Sequence, residues 1–286
     1  MRIGIVGLGL IGGSLGLALR ALKDFPPPPA GEGRVGAFDR TIEVVGLTRT
    51  ADAAAEALRR GAVDAASTEV SILNGADVVV VATPIDQIGA VLDLVAPLAV
   101  SGTPITDVAS VKRPVRQWAR RLPEPGLFLG GHPLAGKSMT GIQASDPSIF
   151  RDEPWIFTPL EAQSLRPFQG WIELVRAIGA RPAFRSPEEH DRQMAYLSHL
   201  AFAISTAFAE TVGAHADTSL AGPGYRSMSR LAGGDPSMYE SIARENREPM
   251  LEAIDQFAAT LQSLRDRIDR RDHVSELFEA GRQLAV

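Results

Sequence analysis

Histidine is the main candidate for acid–base chemistry in this chain, because its 286 residues include five histidines and no cysteine. His132 stands out, since it follows two glycines and precedes a proline in segment 129–136. Glycines let backbone and ligand approach closely, and an imidazole exchanges protons near neutral pH. His132 is therefore a candidate catalytic acid–base group, with a structural hydrogen-bonding role in a Gly/Pro turn as the equally weighted alternative.

The other four histidines have weaker claims. His190 and His273 lie in charged helix starts and are expected to be solvated, while His215 ends a helix, where a cation suits the dipole. His199 lies inside an apolar helix and needs a buried partner. It is either a core polar residue or part of a substrate site, and we include it among the substrate-binding candidates.

Two arginines are candidates for binding a carboxylate. Arg226 and Arg230 are four residues apart in loop 222–230. A guanidinium group binds a carboxylate through two parallel hydrogen bonds, although surface ion pairing is the simpler alternative. We also assign Lys137, which follows Gly136, to substrate binding.

A glycine pattern near residue 1 predicts dinucleotide binding. Gly7, Gly9 and Gly12 have the G-x-G-x-x-G spacing between a predicted strand, 3–6, and a predicted helix, 12–23. The first glycine allows the turn, the second the approach of a pyrophosphate, and the third close helix packing. Backbone N–H groups of the new helix then bind the anion. The predicted contacts are Gly7, Gly9, Leu10, Ile11 and Gly12.

The end of the second strand bears on which cofactor binds. NAD-specific folds usually place a carboxylate there for the ribose hydroxyls. This chain instead has Thr48, Arg49 and Thr50, whose hydroxyls and guanidinium suit a phosphate. NADP is therefore favoured and NAD remains possible, with Arg49 as a plain surface charge the alternative.

Two further loops follow predicted strands at the same edge of the sheet. Thr83 and Pro84 form one loop, which we expect to lie along the cofactor. The other contains Asp107 and Ser110, both predicted cofactor contacts. Ser110 also occupies the expected N-cap of a helix over 111–122, and capping does not exclude a ligand contact.

The elements that would position these residues fall into two halves. Short β-branched runs alternate with helical patterns in the first half, which predicts parallel βαβ units. The predicted strands are 3–6, 43–47, 77–82, 104–108, 127–130, 155–158 and 181–185, and the predicted helices before residue 180 are 12–23, 51–60, 85–98, 111–122 and one ending near Gly179. A loop insertion over 24–41, with four consecutive prolines, is expected to be mobile.

The second half of the sequence is predicted to be entirely helical. Ser186, Pro187 and Glu189 form a capping box, and a helix apolar nearly all round follows, which we expect in a core or at a subunit interface. Asp235 and Pro236 cap another helix, which Pro249 should kink or end. A second apolar seam follows, at Ile254, Phe257, Leu261, Leu264 and Ile268. We predict a Rossmann-type α/β domain over 1–160, a connecting αβ piece over 161–185 packed on it, and an all-α domain over 186–286.

Composition limits the possible partners. With 29 basic and 34 acidic residues the net charge is −5, so nucleic acid and anionic lipid are poor candidates. Glycines interrupt the apolar N-terminal segment, and no other apolar run approaches the roughly 20 residues of a membrane span. The lack of cysteine fits a reducing cytosol and excludes thiolate metal sites, so we expect a cytoplasmic protein without a metal.

Taken together, the motifs resemble the prephenate/arogenate dehydrogenase family of tyrosine biosynthesis, in order along nearly the whole chain. They are GLGLIGGS at 7–14, TDVASVK at 106–112, GGHPLAG at 130–136, SHL at 198–200, GYR at 224–226, SRLA at 229–232 and DP at 235–236. The resemblance implies a Rossmann domain, a helical dimerisation domain that makes a homodimer, and a substrate cleft between the domains.

The resemblance also implies a reaction. A cyclohexadienol with a ring carboxylate gives a hydride from C4 to the nicotinamide, loses carbon dioxide and becomes aromatic. His132 matches the family's catalytic histidine, which accepts a hydrogen bond from the C4 hydroxyl. Ser110 matches the serine that orients this histidine and the hydroxyl, Arg230 matches the carboxylate-binding arginine, and Arg226 is its potential assistant.

Two features depart from the family. Many bacterial members continue Ser-His-Leu with Pro-His, whereas Ala201 and Phe202 stand here, and insertion 24–41 is unusual. No residue decides between prephenate and arogenate. A β-hydroxyacid dehydrogenase is the nearest alternative enzyme, but its catalytic lysine has no counterpart, because no lysine follows Lys137. A non-catalytic NADP-binding sensor is the alternative from another class.

Overall fold

The computed structural model describes residues 1–22, 41–137, 139–272 and 274–284. The chain divides into two compact units. The nucleotide-binding unit comprises Met1–Met194 and Gly233–Glu245, and the helical unit comprises Ala195–Ala232 and Asn246–Val286. Most of insertion 24–41, together with His273, lies outside the described residues.

One eight-stranded sheet forms the centre of the nucleotide-binding unit, in the order β3-β2-β1-β4-β5-β6-β7-β8. All neighbouring strands are parallel except β6 and β7, which are antiparallel. The strands are β1 (Arg2–Val6), β2 (Glu43–Leu47), β3 (Ala65–Ser67), β4 (Val78–Val81), β5 (Ile105–Asp107), β6 (Phe128–Pro133), β7 (Pro154–Thr158) and β8 (Arg181–Phe184).

Eleven α-helices occur among the described residues. They are α1 (Leu10–Ala21), α2 (Ala51–Arg59), α3 (Ile85–Val100), α4 (Arg113–Ala119), α5 (Gln169–Ala177), α6 (Pro187–Met194), α7 (Leu200–His215), α8 (Pro223–Ser229), α9 (Pro236–Glu245), α10 (Arg247–Asp269) and α11 (Ser275–Leu284). A π-helical turn, Ala195–His199, precedes α7. Short 3-10 helices are Val70–Leu73, Pro125–Leu127, Ile142–Ala144, Pro147–Phe150, Arg166–Phe168, Thr218–Leu220 and Arg230–Gly233.

The sheet separates two apolar cores, as the buried run of four valines in β4 predicts. Val78 and Val80 face the core that also contains Leu15 of α1, and Val79 and Val81 face the core that contains Ile88 of α3. This alternation follows from the two-residue period of a strand. Helices cover both faces, which confirms the predicted α/β class.

Three details of the first half differ from the predictions. The short strand β3 was not predicted. Strand β6 extends to Pro133, so His132 lies inside a strand, opposite Ile156, and not in a turn. Helix α4 begins at Arg113 with Lys112 as its N-cap residue, so Ser110 is not the N-cap, because two more residues of loop precede the helix.

The helices of the second half begin where the local signals predict but end differently. The Ser186–Glu189 capping box is confirmed, with the Glu189 N–H donating to Ser186 Oγ at 3.2 Å and the Ser186 N–H donating to Glu189 Oε2 at 3.1 Å. The π-helical turn interrupts the long helix predicted to follow. Pro249 does not end α9; it lies in the first turn of α10, where a proline is tolerated.

Most apolar residues on the two long helices of the helical unit, α7 and α10, are half-buried or exposed in the single chain. Ser205 is the buried side chain among the residues of α7, so this helix is not a core helix. Along α10, Phe257, Leu261 and Ile268 are also exposed. For α7, the two predicted locations were a core and a subunit interface; its burial in the single chain is not that of a core helix, and the interface stays a prediction.

Helix length and polarity bear on membrane spanning. Within the described ranges, no helix combines the length and the apolar character that crossing a bilayer requires.

Gly16 allows α1 to pack closely on the loop after α2. A Cβ added at Gly16 would lie 2.1 Å from the Ala62 carbonyl oxygen, a backbone atom. Gly16→Ala should therefore lower the free energy of unfolding by about 1–3 kcal/mol, as overpacking does. Gly89→Ala in α3 is the control, because its Cβ would meet Trp118 at an ordinary 3.5 Å and alanine favours a helix. Urea denaturation of both variants tests this, and equal stabilities would contradict it.

Candidate active site

The glycine loop between β1 and α1 is shaped to admit an anion. Gly7 has φ 90°, and a Cβ there would lie 2.8 Å from the Ala82 carbonyl oxygen, while a Cβ at Gly12 would lie 2.0 Å from the Gly7 carbonyl oxygen. A side chain at either position would clash with backbone atoms. A Cβ at Gly9 would meet nothing within 4 Å, so its surroundings are open. Gly9 is the N-cap of α1 without a side-chain cap, which leaves the N–H groups of the first turn for a ligand.

The loop that follows β4 adds a hydroxyl. Thr83 Oγ1 is buried and has no hydrogen-bond partner among the described residues. Its methyl group would lie 2.9 Å from a Cβ at Gly7, so Thr83 adjoins the glycine loop. A buried hydroxyl without a partner needs an acceptor or donor from elsewhere. The glycine loop and Thr83 therefore fit a bound dinucleotide.

The Thr48–Thr50 segment follows β2 beside this loop, since the Gly7 N–H donates to the Leu47 carbonyl at 3.0 Å. Thr48 Oγ1 donates to the Thr50 carbonyl at 3.0 Å, and Thr50 Oγ1 accepts from the Ala53 N–H at 3.2 Å as the N-cap of α2. The two hydroxyls thus shape the loop. Arg49 is exposed, and no ion pair to it occurs within the described residues.

A buried ion pair holds the backbone on the N-terminal side of His132. Lys112 Nζ pairs with Asp107 Oδ2 and donates to the Gly131 carbonyl at 2.6 Å, and both side chains are buried. The Gly131 N–H donates to Asp107 Oδ1 at 3.0 Å. Both backbone groups of Gly131 are therefore held by side chains. Burial lowers the pKa of the Lys112 ammonium from its ordinary value, and the adjacent Asp107 carboxylate opposes that shift.

The same contacts bear on the predicted role of Asp107. Its side chain is fully buried and accepts from Lys112, from the Gly131 N–H and from the Ala109 N–H, so its carboxylate is occupied by these contacts. A cofactor contact at position 107 would therefore have to come from the backbone. Ser110 is half-buried in the next turn of the loop.

The side chain of His132 belongs to a chain of three buried groups. His132 Nδ1 lies 2.8 Å from His190 Nε2, and His190 Nδ1 lies 2.8 Å from Asp191 Oδ1. Asp191 Oδ1 also accepts from the Lys112 N–H at 2.6 Å, and Asp191 Oδ2 accepts from the Arg113 N–H at 2.8 Å. His190 and Asp191 are fully buried, and His132 is 8% exposed.

The prediction that His190 is solvated is wrong. Helix α6 packs against α4 and β7, and it buries Pro187, His190, Asp191 and Met194. These residues have the i, i+3, i+4, i+7 spacing of one helix face. That spacing was the available signal for His190 and Asp191, and their charged neighbours concealed it. Burial lowers the pKa of His190, and the hydrogen bond to Asp191 opposes that shift.

The loop predicted over 222–230 is wrong, because α8 spans Pro223–Ser229 and Arg230 begins the 3-10 helix Arg230–Gly233. A buried serine of the helical unit contacts the backbone around Arg230. Ser205 Oγ donates to the Met228 carbonyl at 2.7 Å and accepts from the Ala232 N–H at 2.9 Å, on either side of Arg230. Arg230 is exposed, and none of the described carboxylates pairs with it. Arg226 is exposed and donates to the Ala221 carbonyl at 2.8 Å.

Two other predicted substrate-binding residues already have partners. His199 is buried, and its Nδ1 lies 3.1 Å from Asn246 Nδ2, which confirms that it needed a buried partner. Lys137 Nζ pairs with Asp146 Oδ2 at 2.9 Å. This hydrogen bond holds the pKa of Asp146 well below its usual range. The substrate-binding roles of His199 and Lys137 remain predictions.

The fold and site together define a class of protein. A parallel sheet in the order 3-2-1-4-5, with a glycine loop that opens α1, is a Rossmann-type nucleotide-binding fold. A buried histidine near the carboxyl end of β6 adds a group for acid–base chemistry to the same unit. These are the parts that a nucleotide-dependent dehydrogenase requires.

Comparison with known proteins identifies the family. A family model described as prephenate dehydrogenase, nucleotide-binding domain, matches residues 37–183, and one described as prephenate dehydrogenase, dimerization domain, matches residues 186–282. The chain therefore belongs to the prephenate dehydrogenase family. Membership of this family makes the chain a dehydrogenase, and the alternative assignment as a β-hydroxyacid dehydrogenase is therefore excluded.

Individual relatives align with this chain over most of their length. Prephenate dehydrogenase of Bacillus subtilis (strain 168) is 28% identical over 281 residues, which are 94% of this chain and 70% of that protein. The crystal structure of Synechocystis arogenate dehydrogenase has 29% identity and a TM-score of 0.79, covering 99% of this chain and 97% of that one. Aquifex aeolicus prephenate dehydrogenase, solved with hydroxyphenyl propionate and NAD+, has 24% identity and a TM-score of 0.84 over 99% and 96%, and shows the shared fold.

Removing one charge of the buried Lys112–Asp107 ion pair should destabilise the protein more than removing both. Lys112→Met would leave the Asp107 carboxylate buried without its cation, which should lower the free energy of unfolding by about 3–5 kcal/mol. The double variant Lys112→Met/Asp107→Asn should be more stable than Lys112→Met alone, because the uncompensated charge is gone. Urea denaturation measures both effects.

Lys137→Met is the matched control, because its ion pair with Asp146 is exposed and should contribute little. A loss for Lys112→Met no larger than that of this control would show that Lys112 does not compensate a buried charge.

Proposed function

We propose that this chain catalyses the oxidative decarboxylation of prephenate or arogenate with hydride transfer to NAD(P)+, giving 4-hydroxyphenylpyruvate or tyrosine. One observation carries the proposal. His132, which matches the family's catalytic histidine, is buried near the carboxyl end of β6, and its Nδ1 lies 2.8 Å from Nε2 of a second buried histidine, His190. Ligands of open α/β sheets bind at this edge of the sheet.

The glycine loop is the proposed cofactor site. Gly7, Gly9 and Gly12 give a pyrophosphate access to the N–H groups of α1, and Thr83 Oγ1 offers a buried hydroxyl. When bound, the nicotinamide accepts a hydride. The exposed guanidinium of Arg49 supports NADP, because it suits a 2′-phosphate. The Aquifex relative was solved with NAD+, so both cofactors belong in the test.

His132 is the proposed acid–base group. As the C4–H bond breaks, the C4 hydroxyl becomes a carbonyl, so its proton must move. Neutral His132 accepts that proton. Loss of carbon dioxide then sends an electron pair into the ring, and the C4 oxygen becomes a phenol by taking the proton back. Ser110 is proposed to orient His132 and the hydroxyl.

The substrate's carboxylates require cations. We assign one to Arg230, which is exposed, begins a 3-10 helix whose flanking backbone contacts Ser205, and is not paired with any of the described carboxylates. Arg226, His199 and Lys137 are proposed as further substrate contacts.

The direct test is an assay of the purified chain with prephenate and with arogenate, each with NAD+ and with NADP+. We expect reduced cofactor, followed by absorbance at 340 nm, for at least one pair, with NADP+ favoured. No reduced cofactor in any of the four mixtures would overturn the dehydrogenase proposal and favour a cofactor-binding protein without catalysis.

Replacement of His132 separates its role from binding. His132→Asn should lower kcat by about 100-fold or more with little change in KM, as expected for a positioned acid–base group. His215→Asn is the control, because His215 is exposed at the end of α7. A kcat for His132→Asn equal to that of the control would remove His132 from the mechanism.

We further propose that two copies of the chain associate through their helical units. The matching domain model is described as a dimerization domain, and α10 exposes Leu251, Phe257, Leu261 and Ile268 in the single chain. Apolar side chains repeated along one helix are typical of an interface between subunits.

Light scattering should therefore give twice the mass of the single chain. Leu261→Asp should shift the protein toward the monomer, because a charge would be buried in the interface. Leu58→Asp is the control, since Leu58 is also exposed but lies on α2 of the nucleotide-binding unit. Monomeric wild-type protein, or two variants that dissociate equally, would contradict the proposed interface.

A further inference from the structure

The mechanism above assigns no chemical task to the buried pair His190–Asp191, although His190 directly contacts His132. Helix α6 carries both residues, and β6 carries His132. Titratable groups placed inside a protein lose hydration, so each needs a compensating contact. Here each contact determines the proton position of the next group.

The series of hydrogen bonds that leads to His132 begins at Asp191. Its carboxylate can only accept, and it already receives the N–H groups of Lys112 and Arg113. His190 Nδ1, 2.8 Å from Asp191 Oδ1, must therefore carry a proton. A neutral His190 then has a lone pair at Nε2.

That lone pair faces His132. His190 Nε2 lies 2.8 Å from His132 Nδ1, so a hydrogen bond between them requires the proton on His132 Nδ1. A neutral His132 with its proton on Nδ1 carries a lone pair on Nε2. This is the tautomer that can accept a proton from a substrate hydroxyl at Nε2.

The opposite arrangement is chemically possible, and the surroundings of His190 oppose it. A charged His190 would donate from Nε2 and move the proton of His132 to its own Nε2. The charged groups facing His190 are Asp191, Asp107 and Lys112, and Arg113 Nε lies 3.8 Å from Asp191 Oδ2. Lys112 is paired with Asp107, and burial is the largest influence, lowering the pKa of His190.

We propose that His190, anchored by Asp191, is a positioning residue that holds His132 in the tautomer with a protonated Nδ1 and thereby makes Nε2 the proton acceptor. This inference rests on the proposed function for the identity of the proton donor. The same contact stabilises the imidazolium formed when Nε2 takes the proton, because its Nδ1–H still donates to His190. No proton leaves the site, since the C4 oxygen recovers it after decarboxylation.

Nitrogen NMR of the full chain labelled with 15N-histidine tests the tautomer directly, since protonated and unprotonated imidazole nitrogens resonate far apart. Spectra of His132→Asn and His190→Phe assign the two rings. We expect His132 protonated on Nδ1 and unprotonated on Nε2 in the wild-type protein. A His132 that carries its proton on Nε2 would overturn the proposal without any activity measurement.

Kinetics of three variants test whether the contact between His190 and His132 supports catalysis. His190→Phe keeps a ring but removes the acceptor, so kcat should fall at least about tenfold while KM and the Kd for the cofactor stay within about twofold. His190→Gln can still accept from His132 Nδ1, so it should retain the tautomer and more of the activity. His215→Phe, an exposed substitution of the same type, should match the wild type.

The outcomes are distinguishable. A His190→Phe variant with wild-type kcat, or a His190→Gln variant no better than His190→Phe, would overturn the positioning role. If His190→Phe fails to fold, the wild-type spectrum and His190→Gln still decide. If neither substrate is turned over but the spectrum is as expected, the proposed function fails while the tautomer assignment stands.

Discussion

The carboxylate of Asp191 connects two helices of the nucleotide-binding unit, α6, which carries it, and α4. It accepts N–H groups from Lys112 and Arg113 at the start of α4, and it contacts the ring of His190 on α6. A buried carboxylate is tolerated only where such donors compensate its charge. These hydrogen bonds join α6 to the start of α4, and α6 places His190 Nε2 2.8 Å from His132 Nδ1, so the position of the His132 ring depends on this anion.

A second buried anion holds the backbone beside the same histidine. Asp107 and Lys112 together engage both the N–H and the carbonyl of Gly131. A buried ion pair adds little net stability compared with apolar residues of the same size, because both charges lose their hydration. Its effect here is geometric, since it engages both hydrogen-bonding groups of the residue before His132. The backbone and the ring of His132 are thus held by separate charge-compensated groups.

Short-range signals predicted much of the fold and the cofactor loop. The glycine spacing, the valine run of β4, the bounds of β2 and the Ser186–Glu189 capping box were all confirmed. Each is a constraint within a few residues, such as a steric clash at a missing Cβ or a period-two burial pattern. The N-cap assigned to Ser110 failed because the loop after β5 continues to Lys112, where Asp191 takes the first helical N–H groups.

The sequence by itself determined the α/β class and the family, and it predicted the nucleotide loop and the role of His132. Only the tertiary structure decided that His190 and Asp191 are buried next to His132, that Lys112 compensates Asp107, and that Phe257, Leu261 and Ile268 of the α10 seam are exposed in the single chain. The reason is physical. Backbone conformation follows from neighbouring residues, whereas the burial and the charge partner of a polar side chain depend on elements up to 79 positions away, as Lys112 and Asp191 are.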